Sequence, residues 1–457
     1  MTTSLLTDHY ELTMLQAALA SGAADRPCIF EVFARRLPSG RRYGVLAGTE
    51  RLLEAIADFR FSDADLAALE RGRVVDGPTR RWLANYRFRG DIWGYGEGEC
   101  YLPGSPVLNV EGSFAEAVLL ETVVLSILNH DSAVAAAASR MTSAANGRPC
   151  LEMGSRRTHE AAAVAAARAA YLAGFAGTSN LAAGARYGVP TMGTAAHAFT
   201  LVYDDEEAAF AAQIGALGTG TTLLVDTFDI ARGVEAAIKA GGIGLGAVRL
   251  DSGDLLEQAH AVRRQLDELG ATETKIVVTS DLDEFAIAAL AAAPVDSYGV
   301  GTSLVTGSGA ATAGMVYKLV AKQNPNGQWQ SVAKRSNGKV GVGGRKWAGR
   351  RHDENGIAIE ELLSVGTSPG PRADIRELQH PLVSGGEIVG RQVSVGRQVS
   401  VGRPNSVGQE EPVEHEALRI ARARHASSLA QLPPAAHQLS RGDPVIPTRY
   451  DAIGPVS

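Results

Sequence analysis

Cysteine is scarce in this chain: Cys28, Cys100 and Cys150 are the three present in 457 residues, and no pair has CxxC spacing. An odd, scattered set builds neither a disulfide framework nor a zinc site, and it points to a reducing compartment. Basic clusters are missing too. The net charge is -6, and no Lys/Arg-rich run is interleaved with aromatics, so neither a nucleic-acid partner nor a membrane surface is expected. No uninterrupted apolar run reaches the length of about 18 residues that a spanning helix needs. The opening MTTSLLTDHYEL has neither the basic start nor the long apolar core of a secretory signal. These absences predict a cytoplasmic protein whose partners are small molecules, with any phosphate held locally. What is present is ordinary globular composition, 45% apolar and 21% charged, in a chain long enough for two or three domains.

Residues 5–21 have apolar positions at helical spacing after the cap candidates Thr7 and Asp8, and 28–34, CIFEVFA, alternates like a strand. The segment RRLPSGRRYGVLAG gathers Arg35, Arg36, Arg41 and Arg42 in a turn, either as solvated charge or as an anion-contacting loop. Ser62 and Asp65 have capping-box spacing for a short helix to about Glu70, and 86–110 holds short strand-like runs broken by Gly and Pro. A first α+β domain over 1–112 follows. From Ser113 the texture changes to Ala-rich helices over 114–128, 131–145 and 159–173. Just before the last stands GSRRTH, where Arg156, Arg157 and His159 meet free backbone N–H groups at a helix start, either as a site for carboxylate or phosphate or as a surface basic pair.

The informative part is 220–306. TTLLVD, LGAVRLD, KIVVTSD and VDSYGVGT are strand-like, and the first three lead into helices over 230–240, 254–269 and 283–292. Such alternation predicts parallel strands with right-handed crossovers, whose chemistry sits at the carboxyl ends of the strands. Those ends supply Asp226, Arg249, Asp251, Asp281, Gly301 and Thr302. Asp226 and Asp229 in VDTFD are candidates to orient Mg²⁺ or its water shell. The turn GVGTSLVTG, 299–307, has the composition of a backbone phosphate cradle. Upstream lies VPTMGTAAHAF, 189–199, where small residues leave room for a bulky anion to approach His197, an imidazole able to act as base, ligand or nucleophile. A core histidine beside Phe199 is the alternative. The barrel domain is expected over 113–320 and a C-terminal segment over 321–457. That segment contains the hexad repeat VGRQVS across 389–403, read as a surface duplication, and a helix over 414–430.

LLTDHYELTM, GSRRTH, GTSNLAA, GTAAHAF, VRLDSGD and GVGTSLVT occur in that order, and together they make the chain resemble the nicotinate phosphoribosyltransferases, the ATP-coupled entry to NAD synthesis. The likeness covers about 4–320 strongly and the rest more loosely. It implies an α/β fold, an irregular, incomplete (β/α) barrel with an N-terminal α+β domain and a C-terminal extension that partly returns to it. It also implies a homodimer with shared active sites, nicotinate, phosphoribosyl pyrophosphate and ATP as substrates, and Mg²⁺ as cofactor. By the same resemblance His197 is the histidine that ATP phosphorylates. Tyr10, Thr194 and Arg249 contact nicotinate, and Thr302, with Gly301 beside it, contacts phosphoribosyl pyrophosphate. Asp251 and Asp226 are the carboxylates near ribose and Mg²⁺, and Arg157 partners the nicotinate carboxylate or a phosphate.

Other readings remain beside this one. A nicotinamide or quinolinate phosphoribosyltransferase would share the scaffold, with the dicarboxylate quinolinate asking for a more basic pocket. A non-catalytic phosphate-sugar-binding regulator would be favoured by loss of His197 or the strand-end acids, and neither is lost. A metal-dependent aldolase would want a strand-end Lys or a His cluster, whereas Lys275 begins its strand and the histidines are scattered.

Overall fold

The structure, a computed structural model, describes residues 3–334, 341–368, 370, 372–389 and 415–451. Beyond Val389 the VGRQVS repeat lies outside the described residues. The chain forms two compact units. The first comprises the described residues within Met1–Ala133, Thr312–Ser400 and Ile420–Ser457, and the second those within Val134–Ala311 and Val401–Arg419.

The first unit is built on a seven-stranded antiparallel sheet in the order Trp329–Ser331, Met315–Gln323, Pro27–Ala34, Leu108–Ser113, Asp91–Tyr95, Gln379–Ser384, Glu387–Ile388. The run CIFEVFA, expected as a strand, is buried on both faces: Phe30 stacks on Tyr317 with ring centroids 4.9 Å apart, while Glu31 turns its carboxylate to Lys346 Nζ at 2.9 Å. The amphipathic helix expected over 5–21 runs His9–Ser21, preceded by a separate turn of 3-10 helix at Ser4–Leu6. Ser62 and Asp65 form the capping box that starts the helix Asp63–Arg71.

The helices expected over 114–128 and 131–145 are instead a short Phe114–Val118 helix and one continuous helix Glu121–Ala145. Asn129 and His130, which fall between the two expected spans, are not strong enough helix breakers to stop it, and the Asn129 side chain serves Met315 from within the helix. The stretch Phe114–Ala145 reaches a mean hydropathy of 1.3 over an 18-residue window and is long and apolar enough to cross a membrane by composition, which a search for uninterrupted runs misses. Yet 61% of that window is buried inside the protein, where Leu119, Leu120, Val123 and Val124 join the core. Its apolar character is that of a core helix.

A four-stranded sheet, Ile375–Glu377, Lys346–His352, Ala358–Val365, Thr448–Tyr450, and a two-stranded pairing of Gly44–Val45 with Cys100–Tyr101 also belong to the first unit. Its strongest polar lock is Arg350, 0% exposed, which donates to Glu99 at 2.8 Å, Glu361 at 2.9 Å and the Cys100 carbonyl at 2.6 Å. Arg350→Met is expected to lower unfolding free energy by roughly 3–5 kcal/mol, because two buried carboxylates lose their counter-charge. Urea denaturation measures this; Arg376 still reaches Glu99 but not Glu361, so a loss below about 1 kcal/mol would mean that the buried Glu361 does not depend on Arg350.

The second unit carries six parallel strands in the order Gly177–Thr178, Cys150–Glu152, Ser297–Val300, Lys275–Val278, Ala247–Leu250, Thr222–Leu224. All pairings are parallel, so the carboxyl ends share one edge. Gly177–Thr178 is extended by one isolated parallel bridge, Thr178 to Thr191, and Thr222–Leu224 has no further partner strand among the described residues, so the described ladder is open, with six strands where a closed barrel of this class has eight. The expected helices follow the strands as Ile230–Gly241, Leu255–Glu268 and Glu284–Ala289, started by the caps Asp229, Asp254 and Asp283. Gly233 lets the first of these lie close to its strand: a Cβ there would fall 2.3 Å from the Val225 carbonyl oxygen. The mixed α/β class matches expectation. The expected boundary near residue 112 falls within the first unit, whose contacts continue along the long helix to Ala133.

Candidate functional site

Because the strands of the second unit are parallel and in register, the residues just past their ends meet over one edge of the sheet. There a cavity of about 250 Å³ is lined by Arg156 and Arg157 from the loop after Cys150–Glu152 and by Arg249 and Asp251 from the end of Ala247–Leu250. Thr279, Ser280 and Asp281 after Lys275–Val278, and Gly301 and Thr302 after Ser297–Val300, complete it. Three guanidinium groups and two carboxylates around a small open cavity suit a polyanion with an electron-poor centre beside it.

His197 opens the short helix His197–Leu201. Its Nε2 stands 3.1 Å from Asp226 Oδ1, with the ring side chain 40% exposed and the carboxylate 1%. The other oxygen, Asp226 Oδ2, accepts from the Asp251 backbone N–H and the Ser252 hydroxyl, each at 2.8 Å. The core-histidine alternative is set aside: the ring is open to solvent on one side and held by a buried acid on the other. Asp226 therefore joins His197 to the Asp251 turn, whose side chain in turn accepts from the Thr279 hydroxyl.

Arg249 donates through Nη2 to the Ala195 carbonyl at 2.9 Å, two residues before the histidine, while its Nε is buried with no partner among the described residues. Burial pulls this guanidinium below its usual range, and Asp251 and Asp226 oppose that pull. An incompletely satisfied guanidinium lining a cavity is prepared for an anionic ligand.

Ser280 has φ of 120°, a conformation that residues with a Cβ rarely adopt, and it lies between two other residues of the cavity wall. Strain of this kind costs of order 1–3 kcal/mol and persists where the surroundings impose it. Ser280→Gly is expected to raise unfolding free energy by about 1 kcal/mol, the strain relieved less the entropy that glycine loses on folding. An urea melt with no gain would show that the backbone is unstrained.

Of the residues expected at the site, Arg157, Arg249, Asp251, Gly301 and Thr302 line the cavity, and His197 and Asp226 are tied to it through Asp251. Thr194 lies on the same segment as Ala195 and His197 but does not line the cavity; its hydroxyl is 3.4 Å from the Ala195 carbonyl. Asp229 is exposed and caps the Ile230–Gly241 helix through Arg232 N–H at 3.0 Å, away from the cavity wall. Tyr10 belongs to the first unit, on the His9–Ser21 helix, 46% exposed, its hydroxyl pushed up to about 12 by burial and the nearby Glu121 and Glu11. Among the described residues no group of three or more His, Cys, Asp and Glu side chains gathers as a metal cage.

Sequence reasoning passed over Glu152, Ser252, Thr279 and Ser280. Thr279 and Ser280 stand in the strand-end run KIVVTSD beside the acid that was noticed. Glu152 precedes GSRRTH and carried no signal, because an acidic residue inside an apolar strand reads as a solvent-facing position.

Three comparisons bear on identity. The family model of the nicotinate phosphoribosyltransferase (NAPRTase) N-terminal domain matches residues 5–129. The nicotinate phosphoribosyltransferase pncB1 of Mycobacterium tuberculosis is 57% identical over 454 residues, covering 97% of this chain and 94% of that protein. The nicotinate phosphoribosyltransferase of Bacillus subtilis is 38% identical, covering 75% and 72%. In fold, the crystal structure of human nicotinic acid phosphoribosyltransferase superposes with a TM-score of 0.78 at 24% identity, covering 98% of both chains. With identity of this level over nearly its whole length, the chain belongs to the nicotinate phosphoribosyltransferase family.

Proposed function

We propose that this protein condenses nicotinate with 5-phosphoribosyl 1-pyrophosphate to nicotinate mononucleotide and pyrophosphate, and that it couples the reaction to ATP hydrolysis through phosphorylation of His197. The observation that carries the reading is the continuity from His197 through Asp226 to the Asp251 turn at the wall of an arginine-lined cavity.

The pyridine nitrogen attacks C1 of the sugar, the C1–oxygen bond to pyrophosphate breaks, and positive charge builds at C1. Asp251 is the carboxylate set to stabilise that charge, while Arg156, Arg157 and the Gly301–Thr302 turn hold the phosphates. The ring nitrogen already has its lone pair, so no general base is needed. Arg249 takes the nicotinate carboxylate, with Thr194 and Tyr10 as further contacts; Tyr10 fits this role through the shared site of a homodimer.

At His197, an acceptor oxygen of Asp226 facing Nε2 favours the tautomer with the proton on Nε2, leaving the Nδ1 lone pair as nucleophile. Nδ1 attacks the γ-phosphorus of ATP, ADP departs, and the imidazolium that results is balanced by Asp226. Water later cleaves the P–N bond to release phosphate. Replacing a ring by a dianionic group beside the cavity changes its field and hence its affinity for the phosphorylated substrate.

Asp251 and Asp281 on the cavity wall are the residues that would hold a Mg²⁺ ion there, with water completing its shell. Asp226, whose two oxygens already take three donors, orients rather than ligates, and Asp229 is occupied as a helix cap. The ion's contribution when bound is neutralisation of the departing pyrophosphate. Cytoplasmic residence is part of the same reading, supported by three buried, unpaired thiols.

The test offers nicotinate, nicotinamide and quinolinate in turn with phosphoribosyl pyrophosphate, with and without ATP, and follows mononucleotide formation. Nicotinate turnover stimulated by ATP is expected. Preference for quinolinate with release of CO₂ would instead assign the three arginines to a dicarboxylate.

A further inference from the structure

Glu152 is a carboxylate that the chemistry above does not use. It ends the Cys150–Glu152 strand at 1% exposure, and among the described residues no ion pair engages it. Burial pushes its carboxyl up, countered by its two hydrogen bonds. A buried acid with no cation is costly unless its oxygens are satisfied, and here one oxygen serves the loop after its own strand and the other the neighbouring Gly177–Thr178 strand. Oε1 accepts from the Gly154 backbone N–H and Oε2 from the Thr178 hydroxyl.

The two segments are joined a second time at their far side. Thr178 Oγ1 accepts from the Asn180 N–H at 2.9 Å, and Asn180 Nδ2 donates to Ser155 Oγ at 2.9 Å. A closed ring results, running from Glu152 to the Gly154–Ser155 turn, across to Asn180, to Thr178 and back. Arg156 and Arg157 follow the ring directly, with the Arg157 N–H bonded to the Gly154 carbonyl at 2.8 Å. Gly154 is also wedged against the other phosphate candidate: a Cβ there would fall 2.3 Å from Val305 Cγ1 and 3.0 Å from the Gly301 carbonyl oxygen. Glu152 is therefore bonded to the turn that carries the arginine pair, and that turn packs through Gly154 against the Gly301 turn.

We propose that Glu152 is a positioning residue: through this hydrogen-bond ring it aims the Arg156–Arg157 loop at the phosphate groups of phosphoribosyl pyrophosphate. The proposal rests on the reading of the site as a phosphoribosyltransferase centre. Glu152 touches no substrate, and its effect is on capture of one substrate, because nicotinate is assigned to Arg249 on a strand outside the ring.

The test compares wild type, Glu152→Ala, Glu152→Gln and Ser155→Ala in the full-length protein. Steady-state kinetics in both substrates are combined with calorimetric titration of phosphoribosyl pyrophosphate in Mg²⁺. Glu152→Ala is expected to raise the KM and Kd for phosphoribosyl pyrophosphate tenfold or more, with the KM for nicotinate and kcat within about threefold, as loss of an aiming contact rather than of chemistry predicts. Glu152→Gln keeps an acceptor for Gly154 and an amide that Thr178 Oγ1 can accept from, and it should recover most of the affinity. Ser155→Ala opens the ring at its half-buried side and should cost a few-fold in the same constant alone; it decides the matter if Glu152→Ala does not fold. Unchanged phosphoribosyl pyrophosphate constants in the folded variants, or equal losses for both substrates, would overturn the proposal. If wild type neither binds phosphoribosyl pyrophosphate nor makes a mononucleotide, the underlying reading fails and takes this one with it.

Discussion

His197→Ala is expected to abolish the ATP hydrolysis that substrate stimulates, while the protein stays folded and still binds nicotinate and phosphoribosyl pyrophosphate. The loss should be about 10³-fold or more, the scale on which a nucleophile is missed. The fold survives because the side chain is 40% exposed and leaves no cavity. Asp226 loses one partner and keeps its bonds from Asp251 and Ser252. Labelled ATP read as acid-labile phosphate on the protein is the direct measurement: wild type should carry it and the variant should not. Asp226→Asn separates nucleophile from orienter. An amide facing Nε2 favours the tautomer that leaves no lone pair on Nδ1, so labelling should fall by orders of magnitude with the histidine still present. Retained coupling in His197→Ala would remove that histidine from the mechanism.

The second large effect is at Arg249. Arg249→Ala should raise the KM for nicotinate tenfold or more, because truncating one partner of a desolvated charge pair costs roughly 2–5 kcal/mol, much of it from the carboxylate left unpaired. Arg249→Lys should restore little, since a point charge cannot serve the Ala195 carbonyl and a bidentate carboxylate at once. The release of Ala195 also loosens the segment two residues ahead of His197, so a smaller decline in ATP coupling is expected alongside. Steady-state kinetics with nicotinate varied at saturating phosphoribosyl pyrophosphate give the answer, and an unchanged KM would place nicotinate elsewhere.

Much of this site was readable along the chain. The runs TTLLVD, LGAVRLD, KIVVTSD and VDSYGVGT announced parallel strands through local alternation, and parallel pairing by itself brings their carboxyl ends to one edge. Asp226, Arg249, Asp251, Asp281, Gly301 and Thr302 were legible for that reason, as was His197 among small residues. The capping box at Ser62 was local too, whereas Asp229, read as a Mg²⁺ candidate, proved to be a helix cap like Asp254 and Asp283.

What the sequence alone determined is thus the material written in short-range patterns: element type, strand ends and the residues placed there. Tertiary structure decided the rest. The sheet of the first unit joins Pro27–Ala34 to Met315–Gln323, and no local pattern encodes a register between strands so distant in sequence. Glu152 could be recognised only once folding had closed water away from it and set Gly154 and Thr178 on its two oxygens. The pairing of His197 with Asp226, 29 residues apart, has the same origin: a hydrogen bond between side chains on different elements is specified by where the packed core puts their backbones.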